Sequence, residues 1–364
     1  MSSRFSIRQA RSLVSGLSHP NATIYWFDFM VTICLGHALF VAQGIVAFGE
    51  PNSAMQWISR LLLFAATSLL YMRAAMFIHE LVHLPRRQFK GFRIAWNALC
   101  GIPFLIPSFL YYPHVEHHRR KHYGTAQDGE YLDLSHRHPA ELLVFVLAAF
   151  VVPVAAFARF ALFSPLSWLV PSFGAWVERR ASSMIIDIFF VRGDYGRQAK
   201  RVMRIQEVAC FAWCAGIVAN LFLSPQVGGG YLVQGYALAV TLVLINNIRT
   251  LGAHRWTGDG RELSFEEQLL DSVNYPYRPW ITELWGPTGT RYHALHHLFP
   301  SIPYHNLGIA HRRLMAGLPP DSPYRETERV TLLGAIWELW QRAANRKLCR
   351  NHSGDSSARE PKAA

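Results

Sequence analysis

Nine histidines fall at four places in the chain, in spacings that suit metal ligation. His79-Glu-Leu-Val-His83 sets two rings four residues apart. His114-Val-Glu-His117-His118 sets three at i, i+3 and i+4, and His293-Ala-Leu-His296-His297 repeats that spacing. His254 stands alone at the end of the last hydrophobic run. Residues three and four apart on a helix share a face, so each cluster offers two or three rings in one direction. Imidazole suits iron, zinc and copper, and one ion takes roughly four to six ligands. Nine rings therefore point to two ions. A lone histidine is more often a satisfied polar residue than a ligand, but three clusters plus His254 at one depth are hard to explain without metal. His122, His136, His138, His305 and His311 are read as surface residues or as partners of the ligands.

Such rings need rigid elements to aim them, and the composition says which. The chain has 364 residues, 51% hydrophobic and 16% charged, whereas a soluble domain carries about 25% charged residues. The deficit is local. Residues 23–48 hold one charge, Asp28, and residues 58–78 hold Arg60 and Arg73. Residues 207–223 and 231–248 are two further apolar runs. About 20 helical residues cross a ~30 Å hydrocarbon core. The expected fold is an all-α integral membrane protein with about four transmembrane helices. Re-entrant or interfacial helices and a cytoplasmic helical cap complete it, the cap holding the histidine-ligated two-metal site.

Charge orients the spans. The loops 49–56 and 224–230 hold no Lys or Arg, while the N-terminus carries Arg4, Arg8 and Arg11. The segment between the second and third runs adds Arg86, Arg87, Arg119, Arg120 and Lys121. Positive charge marks the cytoplasmic side. Both termini and all four histidine places then fall on that side, as expected of a multi-pass protein of a bacterial inner membrane. The net charge of +12 suits contact with anionic lipid, and no motif on the basic segments reads nucleic acid.

Residues 1–22 read as a basic lead-in, 23–349 as one membrane domain and 350–364 as a polar, disordered tail. The first apolar run is too long for a signal-peptide core and reads as a retained anchor. Residues 94–112 are apolar but interrupted by Gly101, Pro103 and Pro107, and residues 141–163 carry Pro153 midway. Both read as segments that dip into the membrane or lie at its surface. Leu332, Leu333, Ile336, Trp337 and Trp340 recur at helical spacing, as in a helix at the membrane surface or packed on the cap. The five cysteines form no Cys-x-x-Cys pair, so a sulfur-ligated zinc site or iron–sulfur cluster has no support.

At this point the chain resembles the membrane fatty acid desaturase superfamily, whose pattern is His-x(3-4)-His, His-x(2-3)-His-His and His-x-x-His-His. The third box is the most specific match. It reads His293-Ala-Leu-His296-His297-Leu-Phe-Pro-Ser-Ile-Pro-Tyr-His305-Asn306-Leu307 and is similar to the His-His-Leu-Phe-Pro stretch of bacterial and acyl-lipid desaturases. His254, in Leu-Gly-Ala-His-Arg-Trp, matches a further ligand of the family. The resemblance runs over about residues 55–315. One departure is Thr250, which stands where acyl-CoA desaturases have an asparagine, with Asn246 and Asn247 one turn earlier.

The resemblance implies a non-haem centre of two iron ions held by His79, His83, His114, His117, His118, His254, His293, His296 and His297. It activates dioxygen to remove hydrogen from an unactivated methylene of a fatty acyl chain. Glu80, Glu116 and Asn247 would support the ligands. The chain carries neither the His-Pro-Gly-Gly stretch of a fused cytochrome b5 nor a glycine-rich dinucleotide fingerprint. A separate ferredoxin, rubredoxin or cytochrome, with its reductase, is therefore the expected electron donor. Desaturation of an acyl chain leads. Oxidative decarboxylation of a free fatty acid to a terminal alkene and hydroxylation of an acyl or alkane chain use the same scaffold. His79-Glu80-Leu-Val-His83 also spells the His-Glu-x-x-His helix of zinc proteases, but that reading leaves seven histidines without a role. A metal transporter would carry its polar residues in mid-membrane rather than at helix ends. Arg249, Arg255 and Arg291 adjoin the ligand segments and are candidates to hold a carboxylate.

Overall fold

The computed structural model describes residues 6–47, 54–85 and 87–354. Among these residues five helical segments are long and apolar enough to cross a membrane: Ala22–Gly44, Ala54–His83, Val152–Leu169, Arg197–Leu223 and Pro225–Leu251. Four of them correspond to the expected spans. The other, Val152–Leu169, overlaps the stretch read as re-entrant or interfacial. It is assembled from an α-helix Val152–Ala158, a π-helical turn Arg159–Phe163 and an α-helix Ser164–Leu169. Pro153 and Pro165 sit in the first turns of those two helices, where a missing N–H leaves no bond unmade. No strand occurs among the described residues. Isolated bridges join His254 to Ser272, and Asn274 to Tyr292 and Glu328. The chain is an all-helical, multi-pass membrane protein.

The first two spans pack along an aromatic seam. Tyr25, Phe29 and Ile33, four residues apart on one face, meet Tyr71, Ala74, Phe77, Ile78 and Leu81 of the second span, with Phe89, Phe92 and Trp96 closing the cluster. The opposite faces present Phe27, Leu61 and Leu62 outward, as the end of Arg197–Leu223 does Phe222 and Leu223, as a lipid environment requires. The charges within these runs are partnered. Arg73 Nε and Nη2 donate to the two carboxylate oxygens of Asp28 at 2.8 and 2.6 Å, and the Tyr304 hydroxyl donates to the same group at 2.6 Å. Arg60 lies over the Trp57 ring, 5.5 Å from its centroid.

The proline-interrupted stretch 94–112 is broken as its sequence implies. A helix Lys90–Trp96 passes into a π-helical turn Asn97–Gly101 and then, after an irregular stretch, into a 3₁₀ turn Ser108–Tyr111. Asn97 satisfies that irregular backbone: its Oδ1 accepts from the Ser108 N–H at 2.9 Å and its Nδ2 donates to the Ser108 hydroxyl at 3.0 Å.

The polar third of the chain forms a helical cap. Ser264 and Glu267 make a capping box that starts the helix Phe265–Asp271. Tyr304–Gly317 packs against the N-terminal helix Ile7–Leu13, with Ala10, Val14 and Leu17 against Leu307, Ala310 and Leu314. The last helix, Leu332–Gly354, carries helical structure into the first residues of the tail expected to be disordered, and 355–364 lie outside the described residues. Leu339 and Ala343 of that helix are buried while Leu333 and Trp337 stand exposed.

Candidate metal centre

Four elements bring the nine histidines together. His79 and His83 end the second span, and His114–His117 is a single helical turn entered through Pro113. His254 lies three residues beyond the last span. His293–Leu298 is a short helix whose start is pinned by Asn274, which accepts from the Leu295 N–H at 3.1 Å and donates to Thr327 Oγ1 at 2.9 Å. Gly252 joins the last span to His254. A side chain there would sit 2.3 Å from the Leu332 methyl and 2.7 Å from the Tyr275 hydroxyl, so glycine lets the cap close onto the span without displacing either.

The rings form two groups. His79, His83, His114, His118 and His296 bring one nitrogen each to within 4.8 Å of one another, and His117, His254, His293 and His297 do the same. Neighbours in sequence are divided between the groups: His117 from His118, and His296 from His297. Adjacent positions on a helix point about 100° apart, which is how one short turn serves two sites. His118 Nε2 lies 2.9 Å from His114 Nε2 and 3.1 Å from His296 Nε2. In the second group His293 Nε2 lies 2.8 Å from His254 Nε2 and 3.1 Å from His297 Nε2.

Hydrogen bonds identify which nitrogen is free. His114 Nδ1 lies 2.9 Å from Glu130, and His117 Nδ1 lies 2.8 Å from Asp128. His254 Nδ1 faces the Tyr123 hydroxyl at 2.8 Å and Asp271 at 3.4 Å. With Nδ1–H donating to a carboxylate, Nε2 carries the lone pair. Both nitrogens of His79 are buried without a hydrogen-bond partner. Lone pairs converging at such distances repel unless a cation lies among them. The donor sets, five nitrogens and four, fit two transition-metal ions.

Electrostatics agree. Burial, then mutual repulsion, pushes His114, His118, His293, His296 and His297 well below the ordinary histidine range, so the rings are neutral and their lone pairs available. His117 differs: burial opposes its charge, but Asp128, Glu130 and Asp271 outweigh that and raise it. Burial lifts the Glu130 carboxyl to about 8. Asp271 is held at about 2 despite burial, by His254 and by the N–H and hydroxyl of Thr257, each 2.7 Å away.

All nine predicted ligands fall in the two groups. The three proposed supporting residues sit elsewhere in the network. Glu80 accepts from the Tyr25 hydroxyl and, at 3.2 Å, from the Tyr304 N–H, and is 3.9 Å from His79 Nδ1. Glu116 turns to His122 at 2.6 Å and Arg119 at 3.0 Å. Asn247 donates to the Phe145 carbonyl at 2.9 Å. Of the other histidines, His311 pairs with Glu328 at 3.0 Å and His305 accepts from the Asn21 N–H at 3.2 Å. The partners that do touch ligands, Asp128, Glu130, Asp271 and Tyr123, were missed in the sequence. One signal was there: Asp128 and Glu130 stand in a polar turn ten residues or so beyond the second box.

Comparison with known proteins agrees with this site. Residues 54–328 match the family described as Fatty acid desaturase. The chain is 38% identical over 336 residues to a ceramide hydroxylase from Caulobacter vibrioides (strain NA1000 / CB15N), covering 92% of this chain and 93% of that protein. No solved structure matches. With the match spanning all four histidine places and four of the five candidate spans among the described residues, the chain belongs to the fatty acid desaturase family.

Proposed function

We propose that the chain is an oxygen-dependent hydroxylase of the acyl part of a ceramide-like lipid, working with two iron ions. His79, His83, His114, His118 and His296 would hold one ion, and His117, His254, His293 and His297 the other. The observation that carries this reading is the 38% identity to a ceramide hydroxylase, sustained over 92% of this chain and 93% of that one. Iron held here would supply the activation of dioxygen. In the overall reaction one oxygen atom enters a carbon–hydrogen bond. The other leaves as water, with two protons and with two electrons from a separate ferredoxin, rubredoxin or cytochrome.

The chain's own residues have definite tasks in this reading. Buried neutral rings keep water from the centre. Asp128, Glu130 and Asp271 fix ring orientation through Nδ1. The charge pattern of the loops supports a bacterial inner-membrane protein with site and termini on the cytoplasmic side.

Desaturation is the second reading, favoured by the family's description. It shares the first hydrogen removal with hydroxylation; the two then part, one inserting oxygen and the other removing a second hydrogen. Mass spectrometry of lipids from cells that express the chain and are fed deuterated fatty acids separates the two. Hydroxylation adds one oxygen atom to an N-acyl lipid; desaturation removes two hydrogens. A volatile alkene one carbon shorter would instead mean decarboxylation. Unchanged lipids would remove the proposal.

A further inference from the structure

His311 is the one buried histidine among the described residues that belongs to neither ligand group, with 5% of it exposed. It lies on the helix Tyr304–Gly317. Both ring nitrogens are engaged. Nε2 lies 3.0 Å from Glu328 Oε1, and Nδ1 lies 2.8 Å from the Tyr324 hydroxyl. A carboxylate only accepts, so in the neutral ring Nε2–H donates to Glu328 and Nδ1 accepts from Tyr324. Glu328 is held from its other side, where Oε2 accepts from the Tyr277 hydroxyl at 2.7 Å. An apolar side chain would fill this place with no polar group to satisfy. A fully met buried polar network instead fixes one arrangement of its members.

What that arrangement holds is the third histidine cluster. The His311 ring packs on Tyr292, centroids 5.2 Å apart, and Tyr292 immediately precedes His293. Isolated bridges join Asn274 to Tyr292 and to Glu328, so His311 touches both of its bridge partners. Tyr324 packs with Leu295 and Phe299, in and just past the helix His293–Leu298. The Tyr324 carbonyl accepts from the Thr327 hydroxyl at 2.7 Å, and that hydroxyl accepts from Asn274 Nδ2 at 2.9 Å. Asn274 Oδ1 in turn accepts from the Leu295 N–H at 3.1 Å. Tyr292, Tyr324 and Glu328 thus each carry a contact from one imidazole to one short helix. A helix of six residues has few internal bonds to hold it, so its aim is set from outside.

That helix serves the two groups unequally. It gives His293 and His297, two of four rings, to the second group, and His296, one of five, to the first. Resting on the two-ion part of the proposed function, we propose that His311 is a positioning residue for the second metal ion. By fixing Tyr292, Tyr324 and Glu328 it sets the aim of His293 and His297. Loss of this hold lets the helix tilt and releases the second ion first. The first ion keeps His79, His83, His114 and His118, which come from other elements.

The test uses the full-length protein in detergent, loaded with ferrous iron without oxygen, and reads iron affinity by competition with a chelator. His311→Gln is introduced into two backgrounds: His118→Ala, which leaves the second group whole, and His117→Ala, which leaves the first whole. We expect His311→Gln to weaken iron about ten-fold or more in the His118→Ala background and less than about two-fold in the His117→Ala background. Tyr324→Phe and Glu328→Gln each remove or weaken one arm and should act in the same direction with smaller effect. They decide the matter if His311→Gln yields no folded protein. Glu207→Gln, in the buried pair with Arg159 away from the centre, controls for general destabilisation and should favour neither ion. Equal weakening in both backgrounds, a pattern matching Glu207→Gln, or no weakening overturns the proposal. Because the readout is iron binding, wild-type protein that oxidises no lipid sinks the hydroxylase reading and leaves this one standing. Wild-type protein that holds only one ion overturns both.

Discussion

His117 and Asp128 are joined by a 2.8 Å hydrogen bond between ring Nδ1 and carboxylate, both side chains almost fully buried. Asp128 also accepts from the Gly124 N–H at 3.0 Å and, through its other oxygen, from the Glu130 N–H at 3.0 Å. The carboxylate is therefore locked by its own turn before it locks the ring, and Nε2 is turned to the second histidine group. Asp128→Asn keeps the shape but weakens the acceptor. It should reduce metal affinity about 10- to 100-fold, as loss of such an outer partner does, measured by competition with a chelator. Unchanged affinity would mean that the ring needs no such guide.

The division of neighbouring histidines between two groups makes a sharper prediction. His118→Ala removes a ligand from the first group and His117→Ala from the second. Each should deplete the metal of its own group more than the other. Metal analysis should find iron falling toward one ion per chain in either variant, with lipid oxidation abolished in both. Full metal occupancy in either would break the assignment of that ring.

Acid should weaken the metal-free fold. His114, His118, His293, His296 and His297 are held well below the ordinary value, by burial and then by each other. In the unfolded chain they titrate near about 6.5. Protons then favour the unfolded state, so these groups cost nothing above that pH and destabilise as pH falls below it. Glu130, raised to about 8 by burial, and His117, raised by Asp128, Glu130 and Asp271 against burial, work in the opposite sense as two groups against five. Metal-free protein should melt lower at about pH 5.5 than at about 7.5, and iron-loaded protein should release metal over the same fall. A metal-free melting temperature that rises with acid would contradict this.

Away from the centre, Arg159 and Glu207 tie Val152–Leu169 to Arg197–Leu223. They form a buried ion pair, and Arg159 donates also to Ser164 at 2.7 Å and Ser182 at 2.9 Å. Glu207→Gln leaves that guanidinium buried with its countercharge gone. It should cost about 3–5 kcal/mol of stability, read from thermal unfolding in detergent, while Arg159→Met with Glu207→Leu should recover most of it. Equal loss from single and double variants would place the effect in packing instead.

Much of this was legible because the constraints are local. Hydropathy gave four spans since a bilayer imposes a length, and helical spacing gave the three histidine clusters, but not their division: only the i, i+4 pairs His79/His83, His114/His118 and His293/His297 share a group, while His117 and His296 turn to the other one. Val152–Leu169 is long and apolar enough to cross, yet Pro153, which reads as an interruption in the sequence, sits at a helix start in the fold, where it fits. The ring partners were hidden for another reason. Asp271 lies 17 residues beyond His254 and Tyr123 lies 131 before it, yet all three meet through the fold. Side chains brought together by tertiary packing leave no periodic trace.

The most direct test of the account is the metal content of the purified full-length protein, measured by mass spectrometry of the elements against protein concentration. Two iron ions per chain, falling toward one with lipid oxidation abolished in His296→Ala, is the predicted result. A single zinc ion per chain that survives His296→Ala but not His79→Ala would contradict it and point to the His-Glu-x-x-His reading instead.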